Sequence, residues 1–486
     1  MRSLLQALIL APLLLPLGSC GLAPSSSAGG TVDQHGLASF DAREEVTEDF
    51  ASWLVPAGMV PPVQSAPVRL ERITTAVPWP RGLVVRGDEL IVLARGRHRN
   101  AGGIDPRIED FSGSLLAVDP EIAEPVVHGR EAGEAVKRNA RVFAGPSGPP
   151  FLLYDPESGS PLDDYLMDRP YCTLAYDEGS QNFFICGYSG VDLPGARFRK
   201  NATDSIHRYD LRDGRWRSVE LHDASVVPLD PDRYVVPNKY YPHHDPSSNP
   251  APHGWLNGPD GAAVAGEYLY AVGKDNHVLV QYDLAEVRRD PAAGPPESRP
   301  VLDEWVTLRL PSYLRCACGR GGEDTRRVRA MGHSALASDG DYLYLGYRTS
   351  SVVLRFPLDR RGDLVRPIVG ELIAVFDPWD PETGVSANLI DLTFNSRGEL
   401  FASCAEAGRV WNVGVPDPER PFDGRIAPGD GSRGNAPYVD LQALTENPKA
   451  RTGNIAFDGD DRLYLCSGNY DSGTKLAGVI YRAVVQ

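Results

Sequence analysis

One phrase recurs six times along the 486 residues, and it restricts the chain to a small set of folds. Each copy is an apolar triplet, a short turn rich in Gly, Asp or Asn, and a second apolar run. The triplets are Leu83-Val84-Val85, Leu174-Ala175-Tyr176, Ala262-Ala263-Val264, Ala335-Leu336-Ala337, Leu392-Thr393-Phe394 and Ile455-Ala456-Phe457. The second runs read ELIVLA, NFFICG, YLYAVG, YLYLGY, ELFASC and RLYLCS, and a third run follows each. Continuous apolar triplets suit strands packed on both faces, whereas the third runs alternate, as half-buried strands do. A unit of this size cannot bury its apolar surface alone and must stack on its neighbours.

A fourth, outer strand is expected in WRSVEL, EWVTLRL, ELIAVFD and YVDLQAL after the second to fifth copies. The sixth copy ends at Gln486 after its third strand, so its outer strand is sought in PVRLERI, residues 67–73. Closing a ring with both ends of the chain removes open sheet edges. The expected fold is therefore all-β, a six-bladed β-propeller over residues 61–486 with long loops on one face. The triplets, short turns and LYxx strands resemble the NHL and SMP-30/gluconolactonase-like propellers.

The composition fits a turn-rich β chain: 42% hydrophobic and 23% charged residues, with 49 Gly and 42 Pro. A formal net charge of −16 argues against nucleic acid as a partner, because a phosphate backbone needs a basic surface. Residues 1–19 read as an export signal: Arg2, then an apolar stretch from Leu4 to Leu17 that Pro12 and Pro16 interrupt. That stretch is short for a bilayer span. Leu17-Gly18-Ser19-Cys20 resembles the bacterial lipobox, which implies cleavage before Cys20 and a lipid on that cysteine. Gly21 stands where an Asp commonly retains such proteins at the inner membrane, which points to the outer membrane of the bacterial envelope. Residues 20–60 then serve as tether and N-terminal extension of a monomer.

In a propeller, the loops entering each first strand and those joining second to third strands emerge on one face. The long segments fall there: 128–170, 223–259, 311–330 and 376–389, together with 95–112, 187–203 and 467–477. The first-to-second turns, such as SDGD at 338–341 and DGDD at 458–461, are short, and their Asp and Gly are turn chemistry. Long loops on one end of a rigid scaffold are where binding sites are built. Function is therefore sought on the loop face, as capture of a small molecule or a partner protein.

Residues just ahead of the triplets should ring the mouth of the central channel. They include Arg81, Tyr171, Asp260, His333, Asp391 and Asn454, with Asn257 and Asn388 slightly upstream. Three readings stay open here: a polar plug whose groups satisfy one another, a bound cation, and a pocket for an anionic or sugar-like ligand. A second cluster, His243, His244 and His253 with Tyr240, Tyr241 and Trp255, precedes Asp260. Its spacing matches no compact metal signature, so it reads as a binding loop.

The resemblance to SMP-30-like enzymes implies a divalent cation such as calcium or zinc at the mouth, held by a first-blade Glu and by later Asn and Asp residues. Carried over, it makes Asp260, Asp391 and Asn454 the metal ligands, with Asp260 or His333 as the general base of a hydrolase or lactonase. The first-blade Glu has no counterpart, because Pro80-Arg81-Gly82 stands in its place. A lipid-anchored binding propeller is thus the leading expectation and the metal-dependent hydrolase its alternative. Among the remaining cysteines, Cys172 and Cys186 are expected within disulfide reach across a hairpin. Cys316 and Cys318 admit a local disulfide, a soft-metal site or free thiols, and Cys404 and Cys466 are expected as buried thiols.

Overall fold

Each apolar triplet lies on the first strand of a sheet whose first three strands pair antiparallel in chain order. The computed structural model describes residues 53–54, 67–94, 111, 113–122, 137–145, 171–187, 205–221, 259–273, 277–288, 298–309, 315–316, 325–376, 388–418, 437–467 and 478–486. Blade 1 comprises Pro80–Arg86, Glu89–Ala94, Leu115–Val118 and Ala140–Ala144. Blade 2 comprises Tyr171–Asp177, Asn182–Gly187, Ser205–Asp210 and Arg215–Leu221, and blade 3 Pro259–Ala265, Tyr268–Gly273, Val278–Asp283 and Ser298–Leu302. Blade 4 holds His333–Ser338, Tyr342–Tyr347, Val352–Pro357 and Gly370–Val375, and blade 5 Leu389–Phe394, Leu400–Cys404, Arg409–Gly414 and Val439–Asp440. Blade 6 joins Ile455–Phe457, Leu463–Ser467 and Val479–Val485 to Val68–Thr74.

The ring closes as the sequence predicts. Val68 to Thr74 run antiparallel to Val485 to Ile480, and the Gln486 amide donates to the Pro67 carbonyl at 2.9 Å. Apolar side chains fill each gap between neighbouring blades. Tyr270 and Leu336 meet between blades 3 and 4, Tyr344 and Trp411 between 4 and 5, and Phe401 and Leu465 between 5 and 6. Leu90 and Tyr464 meet between blades 6 and 1, Leu93 and Phe183 between 1 and 2, and Phe184 and Val280 between 2 and 3. The triplets must be apolar on both faces because every first strand is wedged between two such gaps.

Three outer strands depart from expectation. EWVTLRL does not finish blade 3, which is completed by Ser298–Leu302. Trp305–Arg309 instead lies parallel to Gly370–Val375 on the edge of blade 4, and Thr325–Arg329 pairs beyond it. The reason is a reversal at Asp303, whose carboxylate accepts the Trp305 amide at 2.6 Å. That reversal sends Val306, Leu308 and Val328 into the gap between blades 3 and 4. The outer strand of blade 1, Ala140–Ala144, falls inside the segment read as a loop at 128–170, because ARVFA exposes its centre and offers no apolar run. In YVDLQAL only Val439 and Asp440 pair, and Asp440 then caps a one-turn helix, Leu441–Leu444, by accepting the Ala443 amide at 3.0 Å.

A polar ladder crosses blades 4 and 6 in the same order. In blade 4 the turn residue Asp339 accepts from Tyr344 at 2.7 Å, Tyr344 is in register with Arg355, and Arg355 donates to Glu371 at 2.8 Å. In blade 6 Asp458 accepts from Tyr464 at 3.1 Å, Tyr464 faces Arg482, and Arg482 donates to Glu71 at 2.9 and 2.8 Å. Asp339 and Asp458 also accept backbone amides of their own turns, so SDGD and DGDD are Asx turns with no ligand role. Glu71 belongs to the closing strand, so the ladder also locks the ring.

Cys404 and Cys466 are buried thiols, as expected. In blade 2 a bulge between Tyr171 and Thr173 sets Cys186 opposite Thr173 rather than Cys172, and Cys186 is buried. The side chain of Cys172 and those of Cys316 and Cys318 lie outside the described residues.

Candidate functional site

The first strands enter the channel wall through a bulge. In blades 1 to 5 the pairing of first with second strand skips one residue at the loop end: Gly82, Cys172, Asp260, Ser334 and Ile390. A bulge re-aims the side chains beside it, and the residue immediately ahead of the triplet reaches the channel in blades 2 to 6. Thr173, Gly261, Ser334, Asp391 and Asn454 line a central cavity of about 280 Å³ to which the first strands of all six blades contribute. Asp260 and His333, one residue earlier, are not among its lining.

Asp391 is the acidic centre of that cavity. Its Oδ2 accepts the Ile455 amide of blade 6 at 2.8 Å, and it also accepts from the Leu392 amide and the Asn454 side chain. Asn454 Oδ1 in turn accepts the Gly82 amide of blade 1 at 3.0 Å. One run of hydrogen bonds thereby stitches blades 5, 6 and 1 around the mouth. Ser334 adds a similar stitch by donating to the Leu389 carbonyl at 2.6 Å, joining blades 4 and 5. Close backbone approach demands glycine here: a Cβ on Gly261 would sit 2.5 Å from the Ser334 carbonyl oxygen.

Burial raises the Asp391 carboxyl to about 7, and its three hydrogen bonds only partly oppose that shift. The thiol of Cys466 stands close to it; burial raises that thiol as well, Asp391 adding to the rise and Arg81 opposing it. Arg81 is half-buried at the blade 1 edge of the mouth.

The other predicted residues have separate surroundings. Asp260 faces Arg348 at 4.0 Å. His333 is fully buried, edge-on to Tyr347 at 4.6 Å and parallel to His277 at 6.3 Å. His277 accepts the Gly332 amide through Nδ1 at 3.0 Å. Asn388, at a positive φ of 60°, donates to Glu406 at 3.0 Å, and Glu406 pairs with Arg451 at 2.8 Å. Glu406 and Arg451 carry no sequence signal, since each is a single charged residue in a polar loop. The side chain of Tyr171, together with Asn257, His243, His244, His253 and Cys20, lies outside the described residues.

The donor set does not fit the divalent cation that the family resemblance implies. Zinc sites use three or four protein ligands and calcium takes about six to eight oxygens. Among the described residues a single carboxylate lines the cavity, three donors already occupy it, and the Asn454 oxygen is committed to Gly82. Among the described residues no three His, Cys, Asp or Glu side chains gather as a metal site.

The sequence matches no protein-family model and no curated protein. Solved structures with a similar chain path include the PQQ-bound aldose sugar dehydrogenase of Streptomyces coelicolor, at 13% identity over 88% of this chain and 100% of that one, with a TM-score of 0.40. A gluconolactonase of Xanthomonas campestris is 14% identical over 89% of this chain and 100% of its own, with a TM-score of 0.37. An auxiliary nutrient binding protein of Bacteroides thetaiotaomicron is 9% identical over 89% and 76%, with a TM-score of 0.40. Values this low say nothing about what this chain binds or converts.

Proposed function

We propose that the protein is a lipid-anchored, extracytoplasmic binding propeller that receives a small ligand in the cavity of its central channel. The observation that carries this reading is the Asp391 arrangement, in which a carboxylate, an amide and several hydroxyls line one cavity of about 280 Å³. Small-molecule pockets combine apolar walls with a few fixed polar groups in this way. The metal-dependent hydrolase is the weaker reading, because Asp260 and His333, its candidate bases, do not line the cavity with Asp391 and the donor set does not suit the metal.

The test is thermal unfolding of the purified protein with a panel of sugars, polyols, lactones, amines and carboxylates. A ligand for the cavity should raise the melting temperature of the parent but not of Thr393→Trp, which fills the cavity. A panel without effect, or equal shifts in both proteins, contradicts the reading. For the anchor, Cys20→Ser should move the protein from the membrane fraction to the soluble fraction, and retention of the variant contradicts the lipid.

A further inference from the structure

We infer that the central cavity takes a protonated primary amine, seated on Asp391, in preference to a divalent metal. The inference rests on the cavity reading above and names its ligand class.

Asp391 is a carboxylate inside a cavity that no cationic side chain lines among the described residues. Arg348 faces Asp260 and Arg451 pairs with Glu406, and Arg81 is not among the groups that shift Asp391. Among the described residues the thiol of Cys466 also stands close to Asp391, held protonated by burial. His333 and Tyr347 pack against each other on blade 4. A carboxylate has about four lone-pair sites, and three donors already reach Asp391, so one further strong donor completes it.

An ammonium supplies that donor together with the missing positive charge, and charge-assisted hydrogen bonds of this kind are the strong ones. It carries three N–H groups and no acceptor. Thr173, Ser334 and Thr393 also line the cavity, and their hydroxyls offer acceptors for the remaining two. Leu83, Leu174 and Leu336 furnish apolar surface for a hydrocarbon stem. A divalent ion finds there one negative charge and oxygens already committed.

The purified protein is titrated calorimetrically with butylamine, benzylamine and 2-phenylethylamine, with the matching alcohols, and with calcium and zinc chlorides. The expected result is that at least one amine binds about tenfold or more tighter than its alcohol near pH 8. That affinity should fall by about tenfold or more near pH 5.5, as Asp391 takes up a proton. Asp391→Asn should abolish the preference for amine, and Thr393→Val, which keeps the charge, should weaken amine binding only a few-fold. Alcohols that bind as well as amines, insensitive to Asp391→Asn, overturn the amine inference and leave the cavity reading standing. So does binding of calcium or zinc in place of the amines. If no amine binds, the inference falls while the cavity reading stands on its wider panel; if every probe binds Thr393→Trp as well as the parent, both fall.

Discussion

Asp391 and Asp458 lie at opposite ends of the first strands of neighbouring blades, and their surroundings differ in one respect. Asp458, at the turn end, accepts two backbone amides and the Tyr464 hydroxyl and pairs with Arg462 at 2.6 Å. Its pKa is lowered although burial pushes it up. Asp391, at the loop end, also accepts hydrogen bonds from the protein but pairs with no cation among the described residues, and burial carries it to about 7. Hydrogen bonds alone do not keep a buried carboxylate ionised at its usual pH; a paired guanidinium does. The turn end is therefore built for stability, and the loop end leaves one carboxylate available.

The closing strand gives the largest expected effect. Deleting residues 21–75 removes Glu71 and buried Val68 and Ile73 from blade 6, and should cost on the order of 5 kcal/mol in urea unfolding. Deleting residues 21–60 should cost little; equal losses in the two truncations contradict ring closure. Next, one substitution made at both ends should have opposite signs. Asp458→Asn should destabilise by about 1–2 kcal/mol at neutral pH, because it strips the charge from a partly exposed ladder. Asp391→Asn should be neutral or stabilising near pH 8, because it removes a charge that folding disfavours. Loss of stability in both variants contradicts the contrast.

The pH dependence sharpens it. Glu71, Asp363 and Asp458 have lowered folded values, so their contributions are present above the unfolded value near 4 and vanish as pH falls below it. Asp391 has a raised folded value, so folded protein holds a proton that unfolded protein releases between about 4 and about 7. Its penalty grows as pH rises across that window and is constant above it. The stability difference between Asp391→Asn and parent should therefore widen from about pH 4 to about pH 7. The smallest effect is expected from Glu406→Gln, whose pair with Arg451 is partly exposed, at about 0.5 kcal/mol.

Much of the fold was legible because the apolar triplets report directly on strands wedged between two blades. Closure through residues 67–73 was legible too, since a missing outer strand at one end left a spare one at the other. Outer strands were harder to read. ARVFA of blade 1 and the two paired residues of blade 5 carry little apolar surface, so they leave no periodic trace. EWVTLRL has the alternation of a strand, but its sheet partner is decided by the reversal at Asp303, a tertiary choice. At the mouth, the position of each residue relative to its triplet found Asp391 and Asn454. Asp260 and His333 stand one residue farther from their triplets and do not line the cavity, a distinction that aligning the six copies carries. The ladder from Asp to Tyr to Arg to Glu spans four strands in blades 4 and 6, and sequence proximity reveals only its first step.

The central claim is that Asp391 stands apart from the other partly buried carboxylates, and its own titration tests this most directly. With carbon-13-labelled aspartate, the Asp391 carboxyl signal is identified by its loss in Asp391→Asn and followed by NMR from about pH 3 to about pH 9. The account predicts a midpoint near 7 for Asp391, with Asp458 remaining ionised to below about 4. A midpoint for Asp391 at or below about 4 would contradict it.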